Sequence, residues 1–185
     1  MPRPQRRLPL LAALAACAIA VIAPAPASAQ ACGNSQADPT IESALVIRDA
    51  TLCLLNAQRA QQGLRSLAPN RRLALAAKRH AQDMVARDYF SHDSLDGRDF
   101  VTRIVRASYV RRGDGGWTLG ENLAWGSYEL ASPSAIVDAW MNSPGHRANI
   151  LNGRFREIGF GLAVGAPIPD DAAAATYATE FGTRR

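Results

Sequence analysis

Cysteine is scarce, with three in 185 residues. Histidine is equally rare, limited to His80, His92 and His146. There is no His-Glu-x-x-His pair to bind zinc from one helix, and no Gly-x-Ser-x-Gly elbow to present a serine nucleophile. No stretch interleaves basic and aromatic residues in a ladder, and the sequence gives no reason to expect a nucleic-acid partner. Internal repeats are absent, which excludes a solenoid or propeller. Low-complexity sequence is confined to the first 29 residues. The single long apolar run, Leu8 to Ala23, is too short and too closely followed by Pro24 and Pro26 to span a membrane convincingly.

What is present begins with that run. Arg3, Arg6 and Arg7 precede it, and Ala27-Ser28-Ala29 follows as a small-x-small cleavage site. Residues 1–29 therefore read as a secretory signal peptide cut after Ala29, with an extracellular destination and no transmembrane segment in the mature chain. A lower-ranked alternative takes Leu14-Ala15-Ala16-Cys17 as a lipoprotein box with Cys17 as the anchored N-terminus. Removal of the leader takes three arginines with it, so the formal charge falls from +5 to about +2. The remaining residues suit one domain, with a polar tail over 30–40 and a folded unit over 41–185. Two cysteines remain, Cys32 and Cys53. In an oxidising compartment they are expected to form one bridge, tying the tail to the first helix.

Along the mature chain, helices come first and strands last, which predicts an α+β class. Asp38-Pro39 is expected to cap and start a helix running to about Gln62, with Gly63 as its stop. Asn70 caps a second helix, on which Leu73, Ala77, His80, Ala81 and Met84 recur at helical steps. His80 thus reads as a packed, hydrogen-bonded histidine. A shorter helix carries Phe100, Val101, Ile104 and Val105. A glycine-rich loop over 111–119 makes Trp117 the aromatic expected to be most exposed. Gly120 to Gly126 reads as a short extended segment. Ser132-Pro133 starts another helix, with Trp140 on its apolar face. Residues 157–164 and 176–181 alternate in polarity as strands do. Gly159 and Gly161 leave one strand face bare, open to a helix or a ligand.

The chain is organised around Trp140 to Leu151. There an apolar helix meets Ser143-Pro144-Gly145 and restarts, with Ser143 as the expected N-cap. His146 falls in the opening turn, where unpaired N–H groups and the helix dipole favour the neutral imidazole. Upstream lie Ser91-His92 and Gly120-Glu121-Asn122. Two imidazoles and a carboxylate have the donor types of a three-ligand zinc site with one open position, but the three are dispersed along the chain. The plainer alternative is a polar cluster in which Glu121 orients an imidazole and Asn122 ties loops together. A nucleophile at Ser143 or Ser91 would need a base within reach, and the capping role of Ser143 competes with it.

Together, Phe90-Ser91-His92, Gly120-Glu121-Asn122, Trp140-x-x-Ser143-Pro144-Gly145-His146-Arg147 and Glu157-Ile158-Gly159-Phe160-Gly161 resemble the CAP superfamily. That group includes cysteine-rich secretory proteins, antigen 5 and pathogenesis-related 1 proteins, and the likeness is to its short bacterial secreted branch. The resemblance implies a three-layer α-β-α sandwich around a small antiparallel sheet. It also implies a cleft of two His and two acids. His92, Glu121 and His146 match three of these, whereas Ser143 stands where the fourth, a Glu, is expected. Glu157 is the nearest acid that could stand in. Some members bind a divalent metal through the two His, others bind lipids, and a few are proteases. The function expected is therefore an extracellular ligand-binding or interaction module for a lipid, an envelope polymer or a protein. The alternative is a metal-assisted hydrolase using the same cleft. No cofactor is required, and zinc on His92 and His146 is the one cofactor the donors suit.

Overall fold

The computed structural model describes residues 32–111, 113–169 and 172–184. The expected leader, its cleavage site and Cys17 lie outside them. Helix α1 (Ala44–Gln61) leads by β1 (Ala68–Pro69) to α2 (Arg71–Ala86) and α3 (Phe100–Arg106). Strand β2 (Trp117–Ser127) and one 3-10 turn precede α4 (Pro133–Asn142), α5 (Pro144–Ile150), β3 (Glu157–Val164) and β4 (Ala174–Arg184). Among the described residues the sheet has four strands in the order β1-β3-β4-β2. The pairs β2–β4 and β3–β4 are antiparallel, but β1 runs parallel to β3, so the sheet is mixed and not purely antiparallel.

Two helical layers enclose this sheet. Ile158, Tyr177 and Phe181 face one side, packing with Ile47 and Leu55 of α1, Ile136 and Trp140 of α4, and Ile150 of α5. Ala178 and Leu123 face the other, against Ala77, Ala81 and Met84 of α2. The bare face of β3 is taken by that helix. A Cβ on Gly159 would lie 2.0 Å from the Leu73 carbonyl carbon, and one on Gly161 2.2 Å from that of Ala77. Glycine here lets a helix backbone rest directly on a strand.

Local signals explain most boundaries. Asn70 accepts from the Arg72 and Leu73 N–H groups, and Ser132 accepts from Ala135 with Pro133 behind it. Asp38 behaves differently from expectation. Its carboxylate accepts from the Thr40 N–H at 2.8 Å and its carbonyl from Ile41 and Glu42, closing one isolated turn. Helix α1 begins later, where the Ser43 hydroxyl accepts from Val46. The Cys32–Cys53 disulfide ties the segment before that turn to α1, with Cα atoms 5.7 Å apart. Trp117 also departs from expectation. It starts β2, is half-buried, and packs beside the cluster of Ile104 and Tyr109.

Two buried polar side chains fix α4 and α5 against the sheet. The Trp140 indole N–H donates to the Leu123 carbonyl at 2.9 Å. Arg59, fully buried on α1, donates to the carbonyls of Ile150, Asn152 and Phe155 just past the end of α5. The Ile150 carbonyl is one of the acceptors a helix C-terminus leaves unpaired, so Arg59 ties down the end of the short helix carrying His146 and the segment that follows it.

Candidate functional site

Among the described residues strand β2 is an edge strand, paired only with β4. Its alternating side chains point to opposite layers. Glu121 points toward the layer of α2 and α3, and Asn122 toward α5. The segment joining α2 to α3 carries His92, whose imidazole Nδ1 lies 2.7 Å from Glu121 Oε1. Glu121 Oε2 accepts from Arg103 Nη2 of α3 at 2.5 Å. The Glu121 carboxyl is 1% exposed, the Arg103 side chain 6%, and the His92 side chain 56%. A buried ion pair thus holds an imidazole that reaches solvent. Arg103 also donates from Nη1 to the His92 carbonyl at 2.8 Å, fixing the backbone of the residue it helps orient.

The charge states follow from these contacts. Burial alone would raise the Glu121 pKa, but the His92 hydrogen bond and the Arg103 charge more than offset it, leaving the pKa below the usual value. An ionised carboxylate only accepts, so His92 Nδ1 carries the proton and Nε2 is left free. The hydrogen bond to Glu121 raises the His92 pKa against the opposing effect of burial. His146 moves the other way: burial lowers its pKa, and the nearby His92 charge lowers it further. The two histidines are tied to neighbouring residues of β2, Glu121 and Asn122, from opposite sides of the sheet. Asn122 links them through the backbone. Its Nδ2 donates to the His146 carbonyl at 3.0 Å, while its Oδ1 accepts from Asn149 Nδ2 at 2.9 Å. Asn149 also donates to the Glu121 carbonyl at 3.0 Å, so α5 is stitched to the β2 edge at two consecutive residues.

Ser143 occupies the N-cap position of α5 with an extended backbone, and its carbonyl accepts from the Arg147 N–H at 2.9 Å. Its hydroxyl makes no capping hydrogen bond, contrary to expectation. Among the described residues no bond joins that hydroxyl to His146, so no serine–histidine pair is assembled. Ser91 is used locally, its hydroxyl accepting from the Asp93 N–H at 3.1 Å. Glu157 belongs to a different group. Its carboxylate accepts from Asn70 Nδ2 at 2.6 Å and from the Tyr109 hydroxyl at 2.7 Å, with Arg184 at 3.5 Å.

An acid does stand beside Glu121, but it is Glu180. The two are directly opposed in the β2–β4 ladder, and Glu180 is fully buried. Among the described residues neither of its carboxyl oxygens has a hydrogen-bond partner of good geometry. Burial first, and then the Glu121 charge, push its pKa well above the usual carboxylate range. Glu180 is thus the neutral member of an acid pair and Glu121 the charged one. His80 completes the group. It is 1% exposed and its Nε2 donates to the Ser91 carbonyl at 2.9 Å, which steadies the segment leading into His92. The sequence reading missed Arg103, Asn149 and Glu180. A glutamate in an otherwise small and apolar strand was the one available signal for Glu180. Nothing in the pattern of α3 marked Arg103.

A metal held as in catalytic zinc enzymes needs three ligands around one point. Among the described residues no three His, Cys, Asp or Glu side chains converge in that way. Both Glu121 oxygens are already committed, one to His92 and one to Arg103. What remains for a cation is His92 Nε2 and the His146 ring.

Known proteins place this arrangement. The model of the CAP (cysteine-rich secretory protein) family matches residues 52–176. The chain is 37% identical over 139 residues to the uncharacterized protein YkwD of Bacillus subtilis (strain 168), covering 74% of this chain and 49% of that one. It is 32% identical over 111 residues to the uncharacterized membrane protein YlbC of the same organism, covering 60% of this chain and 30% of that one. It therefore spans half or less of the length of these curated relatives. Among solved structures, an extracellular SCP-domain protein from Bacillus anthracis superimposes with a TM-score of 0.58 at 27% identity, covering 78% of this chain and 44% of that one. An outer surface protein from Borrelia burgdorferi shares the fold, with a TM-score of 0.62 at 21% identity over 78% of this chain and 97% of that one. The motifs that carried the resemblance, the sandwich that encloses the sheet and the matched family model agree: the chain belongs to the cysteine-rich secretory protein (CAP) family.

Proposed function

We propose that the protein is an exported ligand-binding or interaction module that takes a lipid, a cell-envelope polymer or a protein partner at the His92–Glu121–His146 cleft. One observation carries this reading: a solvent-reaching imidazole is rigidly aimed by a buried Glu121–Arg103 pair, and no hydroxyl or thiol nucleophile among the described residues is bonded to it. Rigid support beneath an exposed polar group is what recognition needs. Export is supported by the leader-like sequence, by the disulfide, and by the extracellular protein among the structural relatives. Among the described residues no helix is long and apolar enough to cross a membrane. Direct binding assays with phospholipid and sterol vesicles, purified envelope polymer and immobilised secreted proteins test the reading. Binding in one class that is lost in His92→Ala/His146→Ala supports it, and an unchanged affinity in that variant refutes the cleft as the site. Mass spectrometry of the exported form tests the leader. A mature N-terminus at Gln30 with the mass of one disulfide is expected, and a lipidated Cys17 overturns it.

The second reading is a metal-assisted hydrolase. It is favoured by the Glu121–His92 contact, since a carboxylate holding Nδ1–H leaves Nε2 as a ligand for zinc. Such a metal would supply Lewis acidity and an activated water. The raised His92 pKa opposes it, because the ligand must be the neutral imidazole and a bound ion would have to displace a proton. Zinc titration of wild type and His92→Ala/His146→Ala decides the point, and equal binding by the two rules out this metal site.

A further inference from the structure

Away from the His cleft, α2 and α3 enclose a half-open cavity of 480 Å³ lined by Arg79, His80, Asp83, Arg98, Arg103 and Arg106. We propose that this cavity is a second binding site, specific for a phosphoryl dianion such as a phosphomonoester. The charge balance of its wall sets the ligand class. Arg103 is neutralised by Glu121 at 2.5 Å, and Arg98 by Asp96 at 2.5 Å. Asp83 is occupied by the Tyr89 hydroxyl at 2.5 Å and by Arg87 at 3.5 Å. The guanidinium groups of Arg79 and Arg106 have no hydrogen bond or ion pair with any described residue. Two uncompensated positive charges thus face one cavity from two different helices. A carboxylate would satisfy one guanidinium fork, whereas a phosphoryl group presents enough oxygens and charge for both.

The wall gives further shape to the ligand. His80 donates its Nε2 proton to Ser91, so Nδ1 is a bare acceptor, and it has no partner among the described residues. Arg103 Nε–H is a donor, also without a partner among them. Both atoms are sealed behind the cavity wall, on side chains 1% and 6% exposed. A bridging water or a small shift of the wall on binding would pair them. Among the described residues no Phe, Tyr or Trp lines the cavity, and the His80 ring is 1% exposed, so no open ring face is offered to a nucleobase; the volume suits a small phosphorylated organic group more than a bare ion.

Arg103 belongs to both sites. Its Nη2 holds Glu121 while its side chain forms part of this cavity. A dianion bound here places negative charge near the guanidinium that positions Glu121 and, through it, His92. Occupancy of the phosphoryl site is therefore expected to raise the His92 pKa. That consequence rests on the cleft described above, whereas the binding itself does not.

The test is calorimetric titration of the purified chain at constant ionic strength with glycerol 3-phosphate, inorganic phosphate, and vesicles of phosphatidic acid or phosphatidylcholine. Saturable binding of glycerol 3-phosphate, weakened at least tenfold in Arg79→Ala/Arg106→Ala, is the expected result. The control is Arg147→Ala/Arg154→Ala, which removes the same charge from exposed positions elsewhere and should retain affinity. Binding only to phosphatidic acid vesicles, with the same dependence on Arg79 and Arg106, identifies the phosphoryl source as a lipid headgroup. Equal weakening in both variants, or no saturable binding in any arm, overturns the proposal. Near-UV circular dichroism verifies that each variant is folded. His92→Ala keeps saturable binding, changed only by loss of the coupling through Arg103 and by far less than in Arg79→Ala/Arg106→Ala, so failure of the cleft reading and failure of this one give different results.

Discussion

Replacing Arg103 with methionine removes the guanidinium but keeps most of the apolar stem that packs beside it. The cost follows from what the guanidinium leaves behind. Glu121 is 1% exposed and ionised, and Arg103 Nη2 is its one full positive partner at 2.5 Å. Removing one member of a buried pair strands the other, at about 3–5 kcal/mol. The His92 and Arg98 carbonyls, at 2.8 and 3.1 Å from Nη1, lose a charged donor as well. Solvent can reach part of that region, which limits the additional loss to about 1 kcal/mol. A domain of this size is typically stable by about 5–15 kcal/mol, so the variant should be folded but marginal. The assay is equilibrium urea unfolding with the disulfide oxidised, reading the midpoint at constant slope. Glu121→Gln should also destabilise, because it strands Arg103 in turn. The double variant Arg103→Met/Glu121→Gln strands neither. Its cost should fall short of the sum of the singles by about 2–3 kcal/mol, the range for directly coupled residues. If either single variant costs under about 1 kcal/mol, or if the two costs add within about 0.5 kcal/mol, the pair is not the support of the cleft.

Other consequences are open to direct measurement. NMR titration should find the His92 pKa above that of an ordinary imidazole in wild type, and lower in Glu121→Gln, because the Glu121 hydrogen bond is the largest cause of the shift. The sign for stability follows: the His92 contribution is complete below about pH 6.5, the unfolded value, and is lost as pH rises through the raised native pKa. His80 and His146, with lowered pKa values, act in the opposite sense, so the His92 part is read as the difference between wild type and Glu121→Gln: that difference should shrink as pH rises through the window. Gly159→Ala should destabilise by about 3 kcal/mol or more, since its Cβ would meet α2 backbone at 2.0 Å. Gly145→Ala, with nothing within 4 Å of its Cβ, should be neutral or stabilising in thermal melts. Equal melting temperatures for these two variants would contradict the close approach of α2 to β3. Cys32→Ser/Cys53→Ser should cost about 3 kcal/mol from the loop of 21 residues that the bridge closes, read from the unfolding midpoint.

The fold was legible wherever the signal was local. Asn70 and Ser132 announced their helices because capping chemistry involves only the next three residues. The alternation over 157–164 announced β3, and its two glycines announced a close neighbour without saying which. Asp38 shows the limit of such signals: the same capping chemistry closes one turn there, and the helix starts only after Ser43. The site was legible in part for the same reason. His92, Glu121 and His146 were brought forward by family motifs, and the structure bonds the first two directly. Arg103 and Glu180 could not be found this way. Arg103 reaches Glu121 from 18 residues upstream, across a layer boundary that no periodicity encodes. Glu180 meets Glu121 through strand register, which depends on the whole sheet.

Two glutamates opposed on neighbouring strands would normally repel, and like charges directly opposite destabilise a sheet. Here their environments separate them. Arg103 and His92 bond to Glu121 and keep it ionised, whereas Glu180 has neither partner and remains a neutral acid. The same division continues outward to the imidazoles. His92 rests on the charged carboxylate and holds its proton more tightly, and His146, burdened by burial and by the charge of His92, gives its proton up. At a pH between the two pKa values the site therefore offers a ligand one cation and one neutral acceptor, tied to neighbouring residues of β2. A symmetric two-histidine metal site needs both rings neutral. An interaction site gains from the difference, because a ligand oxygen can accept from His92 while a neighbouring hydroxyl donates to His146. The family motifs supply the two imidazoles; the buried Glu121–Arg103 pair, with its neutral neighbour Glu180, is what makes them unlike.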